Sequence, residues 1–483
     1  VLFNSWGYLL FLAAGVGMHW LLPHRLRIYL LAALSLGFYA FWRWEFCLLM
    51  VFSAWIDYLA ASKIAESDQS RQRKGWLCLS LIVNLGLLVV FKYTYFLYGN
   101  LQALGAAAGY NWPDLGIQII LPLGISFYTF QTISYTIDVY RGVQSPTRHF
   151  VAFLTYVTFW PQLIAGPVLR AGEVLPQLLA KRGFSPGDLG AGLERVVWGL
   201  FKKVVLADQI AGFVDRAFAA NPGDFSAFDV WVATFLFGFQ IYFDFAGYSD
   251  VAIGSARMMG IRFPENFNWP YLAISPKDLW RRWHISLSSW IRDYLYLPLT
   301  RQPFQTKSKG GIAVATEAGK KSRIGPLFLT WFIMGLWHGA GWTFALWGIY
   351  HAVLITAYRK ITPLGRLPQK WPVLAWAIML PLSMAGWIAF RAQSLAQAGT
   401  FYLKIVTPTA YQLKNRLLSG DAYLLTIAIM TGMLAIFGLR YWLERQPRPG
   451  WMLNAGRMLA ITVAVFFILI YLRPVRQFIY FQF

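Results

Sequence analysis

The chain has 483 residues, of which 57% are hydrophobic, 18% aromatic and only 13% charged. Soluble proteins carry about 25% charge, so this composition excludes an ordinary soluble enzyme and points to a polytopic membrane protein. The net charge of +22 reads either as basic loops kept on the cytoplasmic side or as a basic surface for a polyanion such as a CoA-type nucleotide. Nucleic acid is not an expected partner, because the basic residues sit in short loops between apolar runs.

Apolar runs long enough, or nearly long enough, to cross a bilayer lie at 6–22, 28–61, 76–99, 115–139, 150–168, 228–256, 326–357, 372–390, 421–439 and 452–472. Some hold two helices or a broken one. The expected architecture is all-α, with roughly eleven transmembrane helices plus re-entrant and amphipathic interfacial helices, in a single domain over 1–483. The first run lacks a basic leader and a clear cleavage site, and reads as a membrane segment rather than a removed signal. Polar interruptions at 62–75, 141–149, 170–188, 301–323, 359–370 and 440–450 read as loops, the longest being 301–323. Cys47 and Cys78 lie in separate apolar runs without CxxC spacing. They indicate no metal or redox site and read as buried thiols.

Several segments break this pattern. Gln131, Ser134 and Asp138 form a polar stripe that reads as helix–helix glue. The run from Trp160 to Pro167 carries two prolines and a glycine, as expected of a discontinuous helix whose backbone lines a cavity. From Gln240 to Asp250 two carboxylates, Asp244 and Asp250, fall in an apolar helix. Unpaired they would be expensive, and Arg257 or the arginines at 281–282 are candidate partners in a structural ion pair.

The stretch 275–300 starts with an N-cap serine, Ser275, a proline at the first helical position and Asp278 in the first turn. Read as one helix, it places Leu279, Trp283, Leu287, Trp290 and Tyr294 on one face and Arg281, His284, Ser288 and Arg292 on the other. It is too charged to face lipid along its length, so it lies at the interface or lines a polar cavity. Arg281 and Arg282 are candidates for holding nucleotide phosphates, or for anchoring the helix to headgroups. The segment Gly335-Leu336-Trp337-His338-Gly339-Ala340-Gly341-Trp342 sets a histidine among glycines and tryptophans inside an apolar run. A histidine at membrane depth is costly and faces a cavity or a partner. The residues leave two readings open for His338: a hydrogen-bonded core histidine, or a general base or nucleophile for acyl transfer. Trp337 would shape its pocket. His284 is open in the same way. His351 falls on the opposite face of a continuous helix and reads as structural.

Four segments together carry a resemblance: 121–142 (LPLGISFYTFQTISYTIDVYRG), 159–170 (FWPQLIAGPVLR), 240–254 with 262–271, and 280–299 with 335–351. In this order and spacing the chain resembles the membrane-bound O-acyltransferases, in the bacterial branch that includes alginate O-acetyltransferase. The resemblance implies a multi-helix enzyme of the bacterial cytoplasmic membrane with a funnel-like interior. It implies that His338 is the active-site histidine and that His284 is the second, upstream one; the residues call for no metal, since neither CxxC nor HExxH spacing is present. It further implies acetyl-CoA as donor, a periplasmic or surface SGNH-type acetyltransferase as partner, and a polysaccharide as final acceptor: alginate, cellulose, another exopolysaccharide or peptidoglycan. The same fold also occurs with D-alanyl transfer to teichoic acid, and a long-chain protein or lipid acyltransferase is a further form. A permease without chemistry is the alternative from another class. The Gly-Gly-Asn-Arg turn common in the family is replaced by Thr300-Arg301-Gln302-Pro303. The ending 473–483 resembles general members of the branch more than the alginate enzymes.

Overall fold

The computed structural model describes residues 3–300, 324–413, 417–443 and 450–472; the 301–323 loop, Arg301-Gln302-Pro303 and the 473–483 ending lie outside them. Among the described residues all regular secondary structure is helical, with no β-strand. Among the described residues six helices are long and apolar enough to cross a membrane: Glu45–Glu66, Ser70–Ala107, Ala227–Met258, Pro372–Arg391, Gly420–Leu439 and Asn454–Tyr471. Trp6–Leu21 and Ile324–His338 are shorter apolar helices. A multi-pass helical membrane protein is therefore present, while the expected eleven spans exceed the six that meet this length.

The difference has local causes. The run 115–139 is helical only from Ile125 to Tyr140, because Gly124 turns left-handed (φ 74°) ahead of it. The run 150–168 is helical only over Phe150–Thr158. Beyond it, 159–170 is a buried irregular segment, as its prolines and glycine predict. Conversely, the supposed loop 170–188 carries the helix Ala171–Leu179, and 359–370 carries Thr362–Lys370. The thiols also differ from expectation: Cys47 is half-buried and Cys78 exposed on the outer face of its helix. An apolar run guarantees an apolar environment, which at a lipid-facing position is not the protein interior.

The centre of the fold is the helix Ala227–Met258, 32 residues long and buried along most of its length. A capping box between Ser226 and Asp229 starts it, a device worth about 1 kcal/mol. The helix Pro186–Leu200 packs on it through two pairs of glycines. A Cβ on Gly192 would come within 2.7 Å of the Gly254 carbonyl, and one on Gly199 within 2.6 Å of the Gly247 carbonyl. Small residues at such crossings let two backbones meet, which is how helices gain packing energy inside a membrane. The polar stripe at 131–138 serves similar ends. Gln131 donates to Gln162 of the irregular segment (2.7 Å), and Tyr294 donates to Asp138 (2.7 Å).

Candidate active site

His338 ends the helix Ile324–His338, and Trp342–Lys360 returns antiparallel beside it. Gly339 and Gly341 flank Ala340 in the connection. The hairpin is closed by Gly335 and Gly348: a Cβ on Gly335 would collide with the Phe344 carbonyl, and one on Gly348 with the Trp331 carbonyl. His338 is 5% exposed, with Trp337 and Trp347 edge-on at 4.9 Å each and Phe390 at 5.4 Å between ring centres. Trp337 is fixed in turn by a stack: it lies on Phe130 (5.1 Å, 11° between planes), which lies on Trp290 (3.8 Å, 7°). Aromatic pairs of this kind contribute about 0.5–1.5 kcal/mol each beyond area burial.

The end of the His338 helix is held from a distant part of the chain. Within Ser70–Ala107 a π-helical turn, Val89–Tyr93, re-aims two side chains. Lys92 donates to the Trp337 carbonyl (2.5 Å) and the His338 carbonyl (3.3 Å), and Tyr93 donates to the Leu336 carbonyl (2.9 Å). An ammonium at a helix C-terminus satisfies carbonyls that have no partner within the helix and sits at the negative end of the helix dipole. No feature of the sequence around Lys92 announces this role.

The stretch 275–300 differs from the single helix read from its sequence. It forms Pro276–Arg282, a break at Trp283-His284, Ile285–Ile291, and a π-helical turn Arg292–Tyr296. His284 sits in the break with φ 42°, a left-handed conformation that costs a non-glycine residue about 1–3 kcal/mol. The helix stops there because segment 266–268 takes over its backbone groups: Asn268 N–H donates to the Arg282 carbonyl, and Ile285 N–H to the Asn266 carbonyl, both at 2.9 Å. As a result His284 does not share a polar face with the arginines. It is fully buried, edge-on to Phe245 (4.6 Å) and near Phe127, with Nδ1 3.1 Å from Asn266 Oδ1. His338 and His284 lie within electrostatic reach of each other, and Lys92 and His351 within reach of His338.

Of the other residues singled out by sequence, Ser288 is half-buried and donates to the Trp283 carbonyl across the break (3.2 Å). Arg281 is exposed at the end of its helix, and Arg282 pairs with Asp278 (2.8 Å). Arg292 is not beside His284. It shares Asp293 with Arg170, near the far end of the Trp337 stack. Asp244 and Asp250 have partners other than those expected. Lys203 bridges Asp244 (2.5 Å) and Asp208 (2.9 Å), while Arg195 (2.6 Å) and Lys202 (2.5 Å) hold Asp250. Arg257 turns instead to Asp188. Both carboxylates thus brace Ala227–Met258 against the elements between 186 and 208. His351 does not lie on the far side of one continuous helix, because the helix ends at His338 and a second begins at Trp342. The turn at 339–341 folds it back, so that Trp347 stands 4.9 Å from both His338 and His351, with Trp280 at 5.0 Å from the latter.

The model of the membrane-bound O-acyltransferase family matches residues 142–396, a span that includes all three of these histidines and Asn266. Over 443 residues the chain is 37% identical to the probable alginate O-acetylase of Pseudomonas syringae pv. tomato, covering 91% of this chain and 82% of that one. It is 36% identical over 395 residues to the peptidoglycan O-acetyltransferase of Helicobacter pylori, covering 75% and 71%. The teichoic acid D-alanyltransferase of Bacillus subtilis is 29% identical over 267 residues, covering 54% and 64%.

Proposed function

Because the chain belongs to the membrane-bound O-acyltransferase family, we propose that this acyltransferase takes acetyl from cytoplasmic acetyl-CoA and passes it across the bacterial inner membrane for O-acetylation of an extracytoplasmic polysaccharide. The observation that carries this reading is the burial of His338 and His284, each among aromatic rings, within electrostatic reach of each other. Residues 1–483 act as one membrane unit.

In this reading the acceptor hydroxyl attacks the thioester carbonyl while His338 takes its proton. The carbon–sulfur bond then breaks, and the thiolate leaves with that proton. The aromatic walls exclude water that would hydrolyse the thioester. His284 orients the acceptor. Arg281, exposed beside the break, meets the CoA phosphates, while Arg282 is braced by Asp278. A periplasmic or surface SGNH-type acetyltransferase takes the acetyl group on to the polymer. The relatives named for O-acetylation of alginate and peptidoglycan support acetyl over D-alanyl, since the D-alanyltransferase is more distant.

The test is purified protein in vesicles with acetyl-labelled acetyl-CoA. The expected result is labelled acetyl on a polysaccharide or partner acceptor, reduced about a thousandfold in His338→Ala. Undiminished transfer by His338→Ala would remove the histidine from the chemistry. Transfer only from a D-alanyl carrier would move the protein to the teichoic acid reaction.

A further inference from the structure

We infer that Asn266 is a positioning residue that fixes the tautomer of His284, keeping the proton on Nδ1 so that Nε2 is the nitrogen that accepts a hydrogen bond from the acyl acceptor's hydroxyl. The inference rests on the acyltransferase reading for the identity of that hydroxyl, but not for the tautomer.

The Asn266 amide has one orientation set by its neighbours. The Ser286 backbone N–H points to Asn266 Oδ1 (3.3 Å), and only an oxygen accepts there. Ser286 Oγ accepts from the Val168 N–H (2.9 Å), so its own hydrogen is free to go to Oδ1 (2.8 Å). On the other side, the Asn266 amide nitrogen donates to Ser249 Oγ (3.1 Å). These contacts fix the amide's orientation. The atom 3.1 Å from His284 Nδ1 is therefore an acceptor, and Nδ1 must carry a hydrogen. In neutral imidazole the lone pair then belongs to Nε2.

Nε2 is enclosed and has no hydrogen-bond partner among the described residues. Its ring is edge-on to Phe245 and near Phe127, and His338 is within electrostatic reach. A buried acceptor left in this way costs free energy. A hydroxyl entering the pocket would satisfy it and be oriented by it. Asn266 also holds the backbone that presents the ring, since its carbonyl accepts the Ile285 N–H just past the left-handed His284. One residue thus fixes both the position of the imidazole and which of its nitrogens is available.

The decisive experiment is nitrogen NMR on 15N-histidine-labelled protein in nanodiscs, with the His284 signals assigned by their loss in His284→Gln. The expected spectrum shows a protonated Nδ1 and an unprotonated Nε2; the reverse tautomer overturns the inference, whether or not acetyl transfer is detected. Kinetics supply the second readout. Asn266→Ala should lower kcat/KM for the acceptor about tenfold or more, and Asn266→Asp, which keeps the accepting oxygen, should recover most of that. In the His284→Gln background Asn266→Ala should add nothing; a full additional loss there means that Asn266 acts only on the fold. Absence of acetyl turnover in the wild-type protein, with the expected tautomer intact, would remove the acetyl-transfer reading alone.

Discussion

Two regions of this molecule bury polar groups within the same apolar fold. In the belt between 195–208 and Ala227–Met258, both carboxylates meet cations: Asp244 meets Lys203, and Asp250 meets Arg195 and Lys202. In the pocket around His338, one ring nitrogen of each of two neighbouring histidines, His284 Nε2 and His351 Nδ1, is enclosed with no hydrogen-bond partner among the described residues. The belt pairs its charges within the protein, while the pocket leaves an imidazole nitrogen unpaired. The contrast separates scaffold from site more sharply than burial does, since Asp244 and His338 are nearly equally buried.

Substitutions in the belt should act on stability and those in the pocket on turnover. The largest stability effect is expected from Lys203→Met. It strands Asp244 where the pair is almost fully buried, at 2% and 4% side-chain exposure, a loss of about 3–5 kcal/mol. Thermal unfolding in detergent would read it, with activity per folded molecule retained. Gly348→Val comes next. It forces the His338 hairpin apart at the Trp331 carbonyl, costs about 1–3 kcal/mol, and should also lower kcat because it displaces His338. Arg281→Gln should raise KM for acetyl-CoA a few-fold, with kcat and melting temperature unchanged. A fall in kcat at unchanged KM would take Arg281 away from the phosphates. Cys78→Ser, at an exposed thiol, should stay within about 0.5 kcal/mol of the parent.

The two regions also differed in how far the sequence disclosed them. His338 and His284 stood out because histidine is rare in apolar, tryptophan-rich runs and costly at membrane depth. The carboxylates at 244 and 250 stood out for the same reason, and a structural ion pair was the right kind of answer, but its partners were missed. Lys202 and Lys203 lie in a π-helical stretch, Phe201–Ala207, that is neither a clean span nor a loop. A π-turn leaves no mark in the hydrophobic pattern. Lys92 was hidden for the same reason. The break at Trp283-His284 contains neither glycine nor proline; it is imposed by 266–268, which pairs with it only in the folded chain. His351 was read through a helix that the turn at 339–341 interrupts. What escaped detection was therefore tertiary in origin, while the glycine- and proline-marked irregularity at 159–170 was foreseen.

The central claim, that His338 drives acetyl transfer to a surface polymer, is tested most directly by measuring O-acetyl content of each envelope polysaccharide. The comparison is between a deletion strain and the same strain carrying the parent or the His338→Ala protein at equal membrane abundance. The expected result is that His338→Ala leaves one polymer as poor in O-acetyl as the deletion does, while the parent restores it. Restoration to the parental level by His338→Ala would contradict it.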